Sequence, residues 1–187
     1  MTDTEKNNKS SLLMMIGIFI LPVILAYAAL QLDWFNKAAT NRGELLQPVI
    51  QAQDFLSDSD AKWHLMYVIP SNCDMACENA IYSVTQIYQA TGKESDRVSK
   101  LFVVTSDSSK KALAQLESQH SAYVLQKSQE NVNQVFQNVG IDAIFITDTL
   151  HNVVMRYPVT SVQEDAIMDS RNILADLKKL LKLSRIG

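Results

Sequence analysis

Two cysteines are the residues of this chain whose type and spacing best fit chemistry. Cys73 and Cys77, the only two in 187 residues, stand four positions apart where a predicted strand gives way to a predicted helix. A helix N-terminus offers unpaired N–H groups and partial positive charge, which stabilise the nucleophilic thiolate. We expect Cys73 to be exposed before the first turn and Cys77 to be buried beside Ile81, Val84 and Tyr88. An exposed attacking thiol beside a sheltered resolving thiol is what disulfide exchange requires.

The spacing decides how the two sulfurs can meet. Within a regular helix, Cβ atoms four residues apart lie roughly 5–6 Å apart, whereas a disulfide needs about 3.8 Å. Bridging therefore requires Cys73 to lie in the loop before the helix. The next residue, Asp74, either raises the pKa of a neighbouring thiol through its charge or caps the helix. A structural disulfide is the alternative, although closing so short a loop constrains little chain entropy.

Strands and helices alternate after residue 60, and the first strand leads into the cysteine pair. Ser106 or Asp107 is expected to cap the second helix. The alternation indicates an α/β sheet with right-handed crossovers, and a final hairpin and helix make the sheet mixed. This order resembles the thioredoxin plan. The predicted strands are 62–69, 101–105, 122–126, 143–147 and 152–157, and the predicted helices are 74–91, 107–118, 128–139 and 162–183.

An uncharged run precedes this domain. Residues 11–32 contain no Asp, Glu, Lys or Arg, and about 20 apolar residues suffice to span a bilayer. Two lysines before the run and Trp34 after it fit an uncleaved anchor, whereas Ala-Tyr-Ala at 26–28 leaves a cleaved signal peptide as the alternative. Either alternative places the following residues across the membrane. We predict a cytoplasmic tail at 1–10, a transmembrane anchor at 11–32, a connecting segment at 33–60 and a thioredoxin-like domain at 61–187.

The composition excludes several other classes of function. Net charge is −3, so there is no basic excess to neutralise the phosphates of a nucleic acid. With five glycines, the chain contains neither a P-loop nor a dinucleotide-binding glycine motif. Two cysteines and three histidines do not suffice for a zinc-finger framework.

Several motifs together resemble one family of membrane proteins. These are the Cys-x₃-Cys at a helix start, Val-Gly-Ile at 139–141 before a strand, the hairpin 143–157, and an Asn-x-Gly-x-Leu-Leu segment at 41–46. The layout is similar to the membrane-anchored thioredoxin-like proteins of the Sco type, in particular to small anchored proteins found among bacterial cytochrome oxidase biogenesis genes. The resemblance implies a bacterial inner-membrane protein with its domain in the periplasm. It also implies copper delivery to, or cysteine reduction at, the copper site of cytochrome c oxidase, with an oxidase subunit or another assembly factor as partner.

The sequence departs from the Sco pattern at the site itself. Asp74 replaces the proline that follows the first cysteine, and residues 140–143 contain neither the third copper ligand, a histidine, nor the proline found there in ordinary thioredoxins. Each of the three histidines has an ordinary structural interpretation. His64 fits a packed strand residue, His120 a helix end and His151 a hairpin turn.

The cysteine pair therefore allows three functions. The first is a thiol–disulfide or copper-handling factor for cytochrome c oxidase assembly, in which the reduced Cys73 and Cys77 bind Cu(I) without a histidine, and Cu(II) binds weakly. The second is a non-catalytic thioredoxin-like scaffold. The third is a general periplasmic disulfide reductase.

Overall fold

The computed structural model describes residues 3–31, 41–117 and 122–184, and it divides into two compact units, Met1–Thr40 and Asn41–Gly187. Within the described residues, the first unit contains a single helix. The second contains a six-stranded sheet with helices on both of its faces.

The helix of the first unit, α1 (Asp3–Gln31), is a membrane-anchor candidate. Its stretch Ser10–Ala29 is long and apolar enough to cross a membrane, and none of this stretch is buried. The predicted run 11–32 is thus helical as far as Gln31, while Trp34 lies outside the described residues.

The sheet of the second unit is mixed, with strand order β1-β6-β5-β2-β3-β4. β3 is parallel to β2 and β4, whereas β5 is antiparallel to β2, β6 to β5, and β1 to β6. This confirms the predicted thioredoxin-like mixed sheet flanked by helices. The strands are β1 (Glu44–Gln51), β2 (Trp63–Val68), β3 (Val98–Val104), β4 (Ala122–Gln126), β5 (Ala143–Thr147) and β6 (Asn152–Pro158). The helices are α2 (Met75–Ala90), α3 (Lys110–Glu117), α4 (Gln129–Phe136) and α5 (Gln163–Leu183), with a 3₁₀ helix at Gly92–Arg97.

Strand β2 lies inside the sheet, between β5 and β3, and all six of its residues are buried. Side chains alternate between the two faces of a strand, and both faces of β2 meet a core. Trp63, Leu65 and Tyr67 join one hydrophobic cluster, and Met66 and Val68 join the other. This double burial explains the nearly continuous apolar run in the sequence.

Different elements cover the two faces of the sheet. Helices α2, α3 and α5 contribute buried side chains to the first cluster, including Ile81 and Leu177. Helix α4 and the segment 52–56 contribute to the second, where the rings of Phe55 and Phe136 pack edge to face at 5.9 Å. The carboxyl end of β2 lies between these two layers, and α2 begins after the loop that follows it.

Strand β1 lies within the region predicted as a connecting segment. It pairs antiparallel with β6 at one edge of the sheet. Leu46 is the only fully buried residue of its eight, and Pro48 lies within it. The sequence did not predict this strand because it lacks the period-two alternation of a half-buried strand.

A buried carboxylate on α5 holds the chain in place just before β1. Oδ2 of Asp176 accepts hydrogen bonds from Arg42 N at 2.6 Å, Gly43 N at 3.0 Å and the Tyr157 hydroxyl at 2.9 Å. Burial, followed by the charge of Asp176, raises the pKa of Tyr157. A Cβ at Gly43 would overlap two ring carbons of Tyr157, so a side chain does not fit here. Residues 42 and 43 are therefore in packed contact with α5 and β6.

The central position of β3 gives a direct test of the fold. Val103 is fully buried on β3, so Val103→Asp should lower the free energy of unfolding by roughly 3–5 kcal/mol because it buries an unpaired charge. The matched control is Val124→Asp on the neighbouring β4, where the side chain is 41% exposed, and we expect a loss below about 1 kcal/mol. Urea unfolding of the full chain in detergent, followed by circular dichroism, measures both. Equal stability of the two variants would contradict the central position of β3.

Candidate redox site

The loop that carries the first cysteine is held at the carboxyl end of β2 by backbone and hydroxyl contacts. Ile69 N donates to Val103 O at 2.9 Å, and the Ser108 hydroxyl donates to Ile69 O at 2.7 Å. Ser109 N donates to Pro70 O at 2.9 Å. The strand end and the start of the loop are therefore fixed on a neighbouring strand and turn.

The turn before α3 also corrects the predicted helix cap. Thr105 N donates to Ser108 Oγ at 2.9 Å, which closes a turn ahead of the helix. Helix α3 begins only at Lys110, so the expectation that Ser106 or Asp107 caps it is wrong. The buried Ser108 hydroxyl supports the loop after β2 instead.

Cys73 and Cys77 are joined by a disulfide, with their Cα atoms 5.1 Å apart. Cys73 lies in the loop two residues before α2 and is partly exposed, whereas Cys77 is 1% exposed within the first turn of the helix. Both sulfurs pack against the cluster formed with Ile81 and Val84. The predicted geometry is confirmed: the first cysteine lies off the helix and remains accessible, and the second is sheltered.

Asp74 is the N-cap of α2. Its Oδ1 accepts from Cys77 N at 3.1 Å, and its backbone carbonyl accepts from Glu78 N at 3.0 Å. Capping fixes the start of the helix at Met75 and so leaves Cys73 outside it. The carboxylate also occupies a helix N–H that could otherwise stabilise a thiolate, and its charge opposes ionisation of the adjacent thiol. The two roles weighed for Asp74 are thus compatible.

Tyr67 and Asp142 are site residues that the sequence did not single out. Tyr67 is buried near the end of β2, and its pKa is raised by burial, with smaller contributions from the carboxylates of Asp142 and Asp74. Asp142 immediately precedes β5, in the stretch where the Sco pattern has its histidine, and its carbonyl accepts from Val159 N at 3.2 Å. The sequence feature that could have identified Asp142 is its position immediately before the hairpin of β5 and β6. Asp142 and Asp74 thus both act electrostatically on Tyr67, and Asp74 also adjoins Cys73 in the chain.

The described histidines lie together, away from the cysteines. His64 stands near the start of β2, and Cys73 follows the end of that strand. His64 and His151, in the β5–β6 turn, have ring centroids 6.0 Å apart. Burial lowers the pKa of His64 to about 4, with hydrogen bonding to Asp60 as an opposing effect. His120 lies outside the described residues.

The side chains around the disulfide therefore include too few ligands for a resident metal ion. In the described part of the chain, no group of three or more His, Cys, Asp or Glu side chains is placed to hold a metal ion. The reduced Cys73 and Cys77 can supply two soft thiolate ligands, which suit Cu(I). The nearby carboxylates are hard donors, which suit other ions.

Comparison with known proteins identifies the family. Residues 63–184 match the model of a family described as transmembrane-like, thioredoxin-like, C-terminal domain. No curated protein matches the chain significantly.

Solved structures similar to this chain have low identity to it. They include copper-bound ScoI of Bradyrhizobium japonicum, with 16% identity and a TM-score of 0.43 over 62% of this chain and 87% of that one. The thioredoxin domain of a thiol-disulfide oxidoreductase from Bacteroides vulgatus has 20% identity and a TM-score of 0.41, over 61% and 82%. An uncharacterized thioredoxin-like protein of Porphyromonas gingivalis has 16% identity and a TM-score of 0.44, over 62% and 78%. At such values, none of these similarities assigns a function to the chain.

The position of Asp74 predicts how the reduced site reacts. Asp74→Asn keeps a capping side chain but removes the charge, so it should lower the pKa of Cys73 and speed its alkylation near neutral pH by roughly threefold to tenfold. Asp74→Ser should act similarly, because serine also caps. A time course of alkylation of the reduced chain, with each cysteine identified by mass spectrometry, measures the alkylation rates. Unchanged rates in both variants would show that the carboxylate has no influence on this thiol.

Proposed function

The chain belongs to the family of transmembrane-like, thioredoxin-like C-terminal domains, and we propose that it is a membrane-anchored thiol–disulfide exchange factor acting through Cys73 and Cys77. The observation that carries the proposal is the bonded pair itself, in which one sulfur is accessible before a helix and the other is buried within it. This is the arrangement that a two-step exchange needs.

The exchange follows from the positions of the two sulfurs. In the reduced protein, the Cys73 thiolate attacks a disulfide of the partner, which forms a mixed disulfide and releases one partner thiolate. Cys77 then attacks the Cys73 sulfur, re-forms the intramolecular disulfide and releases the second partner thiolate. Two electrons pass to the partner, whose thiolates take up two protons. A dithiol protein must then reduce the Cys73–Cys77 disulfide before another cycle.

The surroundings favour reduction of the partner over its oxidation. Strong oxidants of this kind have a stabilised reduced form, usually through a low thiol pKa. Here Asp74 caps α2 with a carboxylate, which opposes ionisation of Cys73. The dithiol form is therefore poorly stabilised, and the protein should give up its electrons readily.

The proposed location and partner extend this chemistry. We place residues 1–10 in the cytoplasm, the anchor 11–32 in the bacterial inner membrane, and the thioredoxin-like domain in the periplasm. We propose that the partner is a protein of cytochrome c oxidase assembly that needs reduced cysteines to receive copper. In a copper-handling variant of this function, Cu(I) is cargo held by the two thiolates alone, since no described histidine lies beside them.

Reactivity of the individual cysteines tests the proposal. Cys73 should be alkylated first in the reduced chain, because it is the more accessible sulfur. Cys73→Ser should abolish exchange, and Cys77→Ser should accumulate a mixed disulfide on Cys73 because the resolving thiol is missing. Affinity purification of the trapped species, with mass spectrometry, identifies the partner.

The outcomes separate the three functions. A trapped oxidase subunit or assembly factor supports the assembly role, whereas many unrelated trapped proteins indicate a general reductase. Equal, slow alkylation of both cysteines with no trapped species would support the non-catalytic scaffold.

Membrane topology is tested independently. An enzyme reporter that is active only in the periplasm, fused after Gly187, should be active. A reporter that requires the cytoplasm should be inactive at the same position. The opposite pair of results would overturn the periplasmic placement while leaving the exchange chemistry untouched.

A further inference from the structure

Two histidine rings meet at one backbone carbonyl near the amino end of β2. Nε2 of His64 lies 2.9 Å from the Asp60 carbonyl oxygen, and Nε2 of His151 lies 3.3 Å from the same oxygen. The Ser59 hydroxyl oxygen lies 3.4 Å from each of these nitrogens, and the two ring centroids are 6.0 Å apart. Cys73 follows the other end of β2, so this histidine pair is separate from the disulfide.

The acceptors around the histidine pair determine which nitrogen of each ring carries a proton. The Asp60 carbonyl oxygen can only accept, and the Ser59 hydroxyl already donates to the Leu56 carbonyl oxygen at 2.8 Å. Each Nε2 must therefore carry a proton in order to bond there, which leaves Nδ1 of the neutral His64 ring as a lone pair. This Nδ1 has no hydrogen-bond partner among the described residues. The Thr147 hydroxyl, directly across the ladder from His64, is unpartnered as well and does not bond to it.

Burial makes a positive charge on His64 costly. The side chain is 1% exposed, and burial lowers its pKa to about 4, with hydrogen bonding to Asp60 as an opposing effect. Its neighbours across the sheet, Ser99 on β3 and Thr147 on β5, carry no charge. An opened or unfolded chain therefore binds a proton below about pH 6.5 that the closed site excludes until about pH 4. Closure is fully favoured above this range and weakens as the pH falls through it.

Charged groups on the neighbouring segments add smaller effects of both signs. Asp60 favours a charge on the imidazole of His64, whereas Lys62 and a protonated His151 oppose it. The Asp148 carboxylate of the β5–β6 turn is bonded within that turn. The Asp58 carboxylate is largely exposed and pairs with a lysine that follows β4. Among the described residues, no carboxylate bonds to either imidazole, so no counter-ion stabilises a protonated pair.

The segment 52–60 carries the carbonyl that both rings contact, and it lies outside the strands and helices. Its backbone bonds include an internal one, from Leu56 N to Ala52 O at 2.8 Å. Another, from Ala52 N to His151 O at 3.1 Å, links it to the β5–β6 turn. Because no ladder of the sheet holds this segment, it can open without breaking β2.

We propose that the histidine pair is an acid-sensitive latch, which holds the segment 52–60 in place near neutral pH and lets it open in mild acid. A second proton on His64 has to enter at Nδ1, where no described acceptor is placed, and a proton on His151 adds a like charge beside it. Opening gives both rings access to water, which solvates these charges. The loop of Cys73 is held at the other end of β2 by bonds to β3 and to the turn before α3, which this opening does not involve.

Hydrogen exchange of the full-length chain in detergent, measured by mass spectrometry, tests this opening. From pH 7 to pH 5, the opening equilibrium of peptides covering 52–60 should rise roughly twentyfold, after correction for the intrinsic pH dependence of amide exchange. Exchange should depend little on low concentrations of urea, because a local opening exposes little surface. Exchange in 52–60 that follows the rates and the urea dependence of α2 would mean that only global unfolding exposes the segment, which contradicts the latch.

Two substitutions separate the imidazole charge from the packing around it. His64→Gln retains an N–H donor for Asp60 but cannot titrate, so the rise in opening between pH 7 and pH 5 should fall below about threefold. Thr147→Val is the matched control on the adjacent strand, because it replaces an unpartnered buried hydroxyl with a methyl group. It should respond to pH as the wild type does. A wild-type response in His64→Gln, or loss of the response in Thr147→Val, would exclude the imidazole as the cause.

Nitrogen NMR of the histidine-labelled wild-type chain needs no folded variant. At pH 5.5, the closed form should hold His64 as a neutral ring with its proton on Nε2, because burial opposes the second proton. An imidazolium signal for His64 at this pH, or a proton on Nδ1 alone, would overturn the latch whatever the variants show.

Discussion

Burial of β2 on both faces is the constraint on which the domain depends. A strand buried on both sides must have neighbours in the sheet and a covering layer on each face. β3 and β5 provide the neighbours, while α2 and α5 cover one side and α4 with the segment 52–56 covers the other. After the carboxyl end of β2, the chain therefore continues between these layers into the loop that carries Cys73. Core packing and site geometry therefore have the same origin.

One side chain influences both the position and the acidity of Cys73. Asp74 ends the loop and starts the helix, so the same carboxylate places Cys73 outside α2 and places a negative charge beside it. A neutral cap would give similar geometry with a more acidic thiol. The residue thus links the shape of the site to the direction in which electrons are expected to move.

The sequence predicts what depends on local periodicity and on the strand-to-helix boundary. The central strands, the long helices and the separate surroundings of the two cysteines follow from apolar spacing. Features that depend on residues distant in the sequence cannot be predicted from apolar spacing. β1 lacks alternation because only Leu46 is fully buried, and buried Asp176 on the apolar stripe of α5 acquires its role only when residues 42 and 43 reach it. Likewise, His64 and His151 look unrelated until the β5–β6 turn brings them together.

Pro48 on the outermost strand has a consequence for neighbouring molecules. β1 is an edge strand, its register is interrupted between Leu45 and Ile50, and the proline has no N–H to offer. Copies held by a helix in one bilayer share a plane, which raises their effective concentration well above that of freely diffusing chains. Under such lateral crowding, a regular open edge would invite strand exchange between copies. The interrupted register and the proline of β1 resist that templating along this edge of the sheet.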